Sequence, residues 1–271
     1  MQVVVAASES EIDAAQRDLR AREAGAVESR PIGRGRWLVY GTYADDTVAE
    51  GKAAHLRDTG WPAVTRPEGG GHLAAWQRHN RPVIIDDRLW VCFPWSEFDR
   101  DAAPEVVEIE PGLAFGSGGH PSTTLLLRAL AARVRGGERV LDVGCGSGVL
   151  AIAAARLGAA HVRALDIAPA AVEMTARNAR RNGVAARIDV SMAAVGDVAG
   201  TFDVVVANIG AATLTALASD VRSRVAPGGW VGLSGLSPAQ LSVTAAAYRP
   251  LVVEATLTDD DWAAIITRRS G

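Results

Sequence analysis

Cysteine, lysine and clustered histidine are scarce in this chain of 271 residues. Two cysteines, Cys92 and Cys145, cannot build a disulfide framework, and a reducing cytoplasm is the compartment they predict. Lys52 is the only lysine, and 28 basic residues stand against 31 acidic ones for a formal net charge of −3. That balance excludes the dense Lys/Arg surface that broad phosphate-backbone binding requires, so no direct nucleic-acid partner is expected. His55, His72, His79, His120 and His161 never fall three or four residues apart, which removes the usual zinc spacing, and no metal is expected. No apolar run approaches the roughly 20 residues of a membrane span. Met1 to Ala7 is apolar but short and leads straight into Glu9, Glu11 and Asp13, unlike a signal peptide, so no membrane partner is expected.

What the chain does have is the run Val140-Leu141-Asp142-Val143-Gly144-Cys145-Gly146-Ser147-Gly148, followed at once by an Ala/Leu-rich helical pattern. Glycines at alternate positions after an apolar strand let backbone approach a ligand where a side chain would obstruct it. A second strand, Val162 to Leu165, ends on Asp166, where a carboxylate can accept both hydroxyls of a ribose. The ligand this predicts contains an adenosine. The dinucleotide fingerprint G-x-G-x-x-G is not met, because the third glycine arrives one position early at Gly148 and Val149 stands in its place. Asp142 would also set an anion beside a pyrophosphate, whereas a ligand with a free ammonium and no phosphate suits it. S-adenosylmethionine is such a ligand, and a nicotinamide dehydrogenase is the disfavoured rival. Cys145, with no histidine nearby in sequence, reads as a small side chain filling space in the turn rather than a nucleophile.

Two modules follow from the patterning. Up to about Pro67, a strand (3–6), an amphipathic helix (8–23) capped by Ser8 with Glu11 at the capping-box position, strands near 26–29 and 37–42, a helix (47–57) and a strand (61–65) give the order βαββαβ of a ferredoxin-like domain, assigned residues 1–67. Residues 68–100 read as a linker with a Gly-rich hinge at 69–71, a short helix over 72–79 carrying Trp76, and a strand pair at 83–85 and 89–93. Residues 101–271 alternate strand and helix: strands to Val143 and Leu165 and at 187–190, 204–207 and 230–234, with helices at 149–157, 170–182, 212–225 and 238–247 between or after them. Alternation of this kind predicts an α/β domain with a mostly parallel sheet and ligands at the carboxyl ends of its strands. Strands at 251–257 and 262–267 close it as an antiparallel edge hairpin, an ending usual in class I methyltransferases.

With Phe115-Gly116-Ser117-Gly118-Gly119-His120-Pro121-Ser122-Thr123-Thr124 and Ala207-Asn208-Ile209 added to the glycine turn, the chain resembles the bacterial methyltransferases of the large-subunit ribosomal protein numbered eleven. The likeness runs from Trp76 to Arg269; the N-terminal module agrees in element order only. It implies a Rossmann-like class I methyltransferase sheet beside a small α+β ferredoxin-like domain, with S-adenosylmethionine as cofactor. It also implies a protein substrate, a ribosomal protein, methylated on lysine ε-amino or α-amino groups; the N-terminal domain, which shows no catalytic group, reads as the platform that docks it, with a purely structural appendage as the alternative. The family's cofactor contacts map onto Thr123, Gly144, Asp166 and Asn208. Asp142, Gly146, Phe115 and His120 complete the candidate cofactor set, and Asn208 is the candidate catalytic residue that orients the acceptor amine. Two readings of His120 stay open, a residue ordering its Gly-rich loop or one touching the cofactor. Phe115 is either core or an aromatic beside the sulfonium. Gly119 and Gly210 depart from the family's threonine and leucine near the acceptor pocket, which keeps another protein or a small molecule open as acceptor. A cofactor-binding module without catalysis is the rival from another class.

Overall fold

The chain is described by a computed structural model over residues 1–68, 81–110 and 118–271. The expected hinge at 69–71, the helix at 72–79 with Trp76, and Phe115 lie outside the described residues. Two units emerge: residues 1–82 with 92–104, and residues 83–91 with 105–271. The segment read from sequence as one linker is thus shared between the two.

In the first unit, β1 (Gln2–Ser8), α1 (Ile12–Ala21), β2 (Val27–Pro31), β3 (Arg36–Thr42), α2 (Asp46–Asp58) and β4 (Ala63–Arg66) follow one another. The strands form an antiparallel sheet in the order β2-β3-β1-β4, with Val4 opposite Tyr40. β1 is buried on both faces. Val3, Val5 and Ala7 pack with Leu19, Ala53 and Leu56 of the helices, while Val4 and Ala6 pack with Leu38, Tyr40 and Trp95. Burial on both faces explains why it reads as an unbroken apolar run rather than an alternating one. Ser8 and Glu11 form the expected capping box, the Ser8 backbone N–H donating to Glu11 Oε2 at 2.8 Å. The helix is shorter than expected because its first turn is a 3₁₀ turn (9–11) and Glu23 turns left-handed at φ 65°.

The second unit holds β5 (Val83–Ile84), β6 (Trp90–Cys92) up to Val91, and β7 (Val106–Glu108), strands of a small sheet whose third strand the sequence reading missed. Then come α3 (Pro121–Arg133), β8 (Arg139–Val143), α4 (Val149–Arg156), β9 (His161–Leu165), α5 (Pro169–Arg181), β10 (Ile188–Ser191) and β11 (Phe202–Asn208). After these lie α6 (Ala211–Ala216), α7 (Ala218–Ser223), β12 (Val225–Leu236), α8 (Leu241–Ala247), β13 (Val252–Asp259) and β14 (Trp262–Arg268). The seven-stranded sheet runs β10-β9-β8-β11-β12-β14-β13, parallel except for β14, which pairs antiparallel with both β12 and β13. Strand order reverses between β8 and β11, and a crevice at such a reversal is where α/β sheets hold ligands. Successive residues serve opposite layers: Val140 packs with α3 and α4, and Leu141 with Leu214 and Val221 on the other face.

Two differences from the sequence reading have local causes. The helix expected at 212–225 is two short helices meeting at Leu217, whose ψ of 0° breaks the regular turn. β12 begins at Val225, not Trp230, because pairing with β11 jumps from Phe202/Val225 to Val204/Trp230 across Pro227-Gly228-Gly229. Those residues, between the helix and strand expected from sequence, form an irregularity inside the strand.

Candidate active site

The glycine turn leaves β8 with Gly144 at φ 77° and enters α4 through Gly148 at φ 83°. Both positions exclude a side chain twice over. Besides the left-handed backbone, a Cβ on Gly144 would lie 2.5 Å from Ile209 Cγ2, and one on Gly148 would lie 2.9 Å from Thr175 Cγ2. The turn is tied to β9: the N–H groups of Gly144 and Cys145 both donate to Leu165 O, at 2.8 and 2.9 Å. Burial pushes the Cys145 thiol up to about 12, with buried Asp142 adding to the shift, so it stays neutral.

Asp166, the residue after β9, lines a cavity of about 440 Å³ together with Gly144, Gly146, Ile167, Asn208 and Asp220 among others. Its Oδ2 accepts from Gly146 N–H at 2.9 Å and its Oδ1 from Ala168 N–H at 3.0 Å. The carboxylate is thereby fixed in orientation, and each oxygen keeps a lone pair for another donor. Ile167 is 91% exposed beside it, a large apolar side chain offering a surface to a flat ring.

Asn208, at the end of β11, donates from Nδ2 to Thr123 Oγ1 at 2.9 Å. That bond joins two candidates 85 positions apart and commits the nitrogen of the carboxamide. The oxygen, with no hydrogen bond among the described residues, is left to accept from a ligand or an acceptor amine. Thr123 itself is buried in α3, so it acts on the cavity through Asn208.

Two candidates stand elsewhere. Asp142 is fully buried beneath the turn and does not line the cavity; its Oδ2 accepts from Ala151 N–H of α4 at 3.0 Å, while Oδ1 has no partner among the described residues. Burial pushes its carboxyl up to about 7, the Ala151 bond lowering it and Asp166 raising it further. Direct contact with a ligand ammonium is not what this geometry offers; the side chain instead caps α4 from below. His120 is the N-cap of α3, its Nδ1 3.3 Å from the Ser122 N–H, and its ring meets Trp262 edge-on at 4.6 Å. The loop-ordering reading of His120 is the one this placement favours.

Sequence reasoning missed a buried polar stripe on α5. Thr175 donates to Gly146 O at 3.0 Å, and Asn178 Nδ2 to Ser147 O at 2.9 Å. Asn178 Oδ1 accepts from Glu110 N–H, and Asn182 grips both N–H and C=O of Glu108, at 2.8 and 2.7 Å. One face of α5 therefore sets both the glycine turn and the strand leading toward residue 111. Polar residues at i, i+3 and i+7 on an otherwise amphipathic helix were the available signal.

The family model described as ribosomal protein L11 methyltransferase (PrmA) matches residues 64–270. A ribosomal protein L11 methyltransferase of Geobacter sp. (strain M21) is 41% identical over 214 residues, covering 77% of this chain and 70% of the relative. One from Thiobacillus denitrificans (strain ATCC 25259 / T1) is 44% identical over 187 residues, 68% of this chain and 62% of the relative. The crystal structure of the ribosomal protein L11 methylase of Lactobacillus delbrueckii subsp. bulgaricus superposes with a TM-score of 0.65 at 30% identity, covering 70% of this chain and all of that one. The match takes in the glycine turn, Asp166, the Thr123–Asn208 pair and the antiparallel edge hairpin, and the chain belongs to the ribosomal protein L11 methyltransferase family of S-adenosylmethionine-dependent enzymes.

Proposed function

We propose that this protein transfers methyl groups from S-adenosylmethionine to lysine ε-amino or α-amino groups of ribosomal protein L11. The observation that carries the proposal is the Asn208 carboxamide, held by Thr123 with its oxygen uncommitted at the end of β11 beside the glycine turn. The residues present suit the cofactor. A cavity of about 440 Å³ is in the range of roughly 300–1,000 Å³ that small-molecule sites occupy. Asp166 supplies acceptors for ribose hydroxyls, and Gly144 and Gly146 let the chain approach a methionine moiety closely.

When bound, S-adenosylmethionine supplies an electrophilic methyl carbon on a sulfonium. The chain's own part is to position the acceptor. A free lysine amine has a pKa of about 10.4, so the acceptor has to lose a proton before attack, and partial desolvation in the cavity lowers that pKa. Asn208 Oδ1 then accepts an N–H of the neutral amine and turns its lone pair toward the methyl group. A carboxamide is no base at neutral pH, and the proton leaves to water. The first unit, which carries the ferredoxin-like sheet, docks the protein substrate.

A second reading, methylation of another protein or a small molecule, draws on Gly210. A Cβ built there meets nothing within 4 Å, so room is left beside Asn208 where the family pattern has leucine. Incubating purified enzyme and labelled methyl donor with L11 from cells lacking this protein separates the two. Label on L11 is expected; an unlabelled L11 beside a labelled metabolite in extract favours the second reading.

A further inference from the structure

We infer that Asp220 reads the exocyclic amine of the cofactor's base, making it a specificity-determining residue at the end of the cavity away from the reacting atoms. This rests on the reading of the cavity as the S-adenosylmethionine site. Asp166 and Asp220 are the only charged residues among those lining the cavity. With the sugar held by Asp166, the base extends into a slot of Ile167, Ala171, Ala194, Val195 and Leu217, which offers dispersion and apolar burial to both faces of a ring. Ala193 and Ala194, on the β10 side, bring no side-chain acceptor to that slot. Asp220 does.

Its carboxylate is free to serve. No hydrogen bond or ion pair engages it among the described residues, although two arginines lie close in sequence. Arg222 donates instead to Arg249 O, and Arg224 donates to Val195 O at 3.2 Å and to Gly196 O. The Arg224 bonds tie the 195–197 turn to the end of α7, so both walls of the slot are held together. Gly196 lies directly against this carboxylate: a Cβ there would meet Asp220 Oδ2 at 3.4 Å, an ordinary van der Waals contact, so the 195–197 turn flanks Asp220 without engaging it.

The chemistry selects one class of base. An ionised carboxylate accepts hydrogen bonds and donates none, so it favours a base whose edge carries an amino group, as adenine does at position 6. A 6-oxo base would set an acceptor oxygen where the amino group stands, lone pair to lone pair with the carboxylate, and its remaining donor, N1–H, sits one position away, so a site built to bond the 6-amino group disfavours it.

Calorimetry on the full chain with S-adenosylhomocysteine and its 6-oxo counterpart, S-inosylhomocysteine, tests the assignment. Wild type should bind the adenosyl form at least about tenfold more tightly. Asp220→Leu should bring the two affinities to within about threefold, mostly by weakening the adenosyl form. Asp220→Asn should fall between, because a carboxamide can present either oxygen or nitrogen. Tight adenosyl binding by wild type with an unchanged preference in Asp220→Leu would overturn the role of Asp220 alone. Failure of wild type to bind either ligand would instead remove the cofactor reading on which it stands.

Discussion

The charges around Glu97 in the first unit and the polar groups at the β8/β11 reversal in the second are engaged in opposite ways. In the first unit Glu97 accepts from Arg30 at 2.7 Å and pairs with Arg66, and Trp61 Nε1 donates to Asp18. In the C-terminal unit, groups at the β8/β11 reversal are held by one atom and left open at another. Asn208 is fixed through nitrogen and open at oxygen, and Asp166 is oriented by two backbone N–H groups with lone pairs to spare. Asp142 is bonded at one oxygen and orphaned at the other. Side chains that pair with one another fix a fold, whereas Asn208 and Asp166, each anchored by hydrogen bonds and left with acceptor capacity, are built to meet a ligand.

The largest effect expected from breaking this contrast is on turnover. Asn208→Ala should lower kcat by about 100-fold while S-adenosylmethionine affinity changes less than about threefold, read by steady-state kinetics beside calorimetry. Equal losses in both would mean that Asn208 holds the cofactor rather than the acceptor. Asp166→Ala comes next: losing a charged acceptor should raise the cofactor Kd about 10- to 100-fold, and unchanged affinity would show that the ribose lies elsewhere.

The α5 stripe sharpens the comparison, since it contacts the turn without lining the cavity. Asn178→Asp keeps the acceptor for Glu110 N–H and loses the donor to Ser147 O, so it should weaken cofactor binding about tenfold. Asn182→Ala, which cuts only the bonds to Glu108 and its own helix, should lower Tm with the Kd nearly unchanged. Similar Kd losses in both would make the stripe purely structural.

Asp142 gives a pH signature. Its folded-state pKa of about 7 stands above an unfolded value near 3.8, so the folded form holds more protons between those limits. The stability this confers is complete below about pH 4 and is lost as pH rises through about 7. Asp142→Asn should flatten that decline by a few kcal/mol across the interval, measured by denaturant unfolding at pH 5 and pH 8. An identical pH dependence in the variant would place the titration on another group. Smallest of all, Arg66→Ala in the N-terminal unit should cost stability of no more than about 1–2 kcal/mol and leave cofactor affinity untouched.

Much of this was legible in advance because it is local. Alternating β and α patterns gave the parallel sheet, and Ser8 with Glu11 gave a helix start. The glycine spacing separated one nucleotide ligand from another through a single position, Val149. What escaped depends on contacts distant in sequence. The Asn178–Ser147 and Asn182–Glu108 bonds span 31 and 74 positions and carry no motif. Asp142 reads as exposed ligand chemistry until its burial under α4 is seen, and β7 is too short, at three residues, to show a period. His120 was undecided in sequence because a histidine before proline serves a helix cap and a ligand equally well.

The most direct measurement is a crystal structure of the full chain with S-adenosylhomocysteine. We expect the ribose hydroxyls on Asp166, the homocysteine over Gly144 and Gly146, the sulfur facing the Asn208 carboxamide, and the base in the slot that ends at Asp220. A ligand bound away from the β8/β11 reversal, or one reversed so that its base meets Asn208, would contradict the assignment of this crevice.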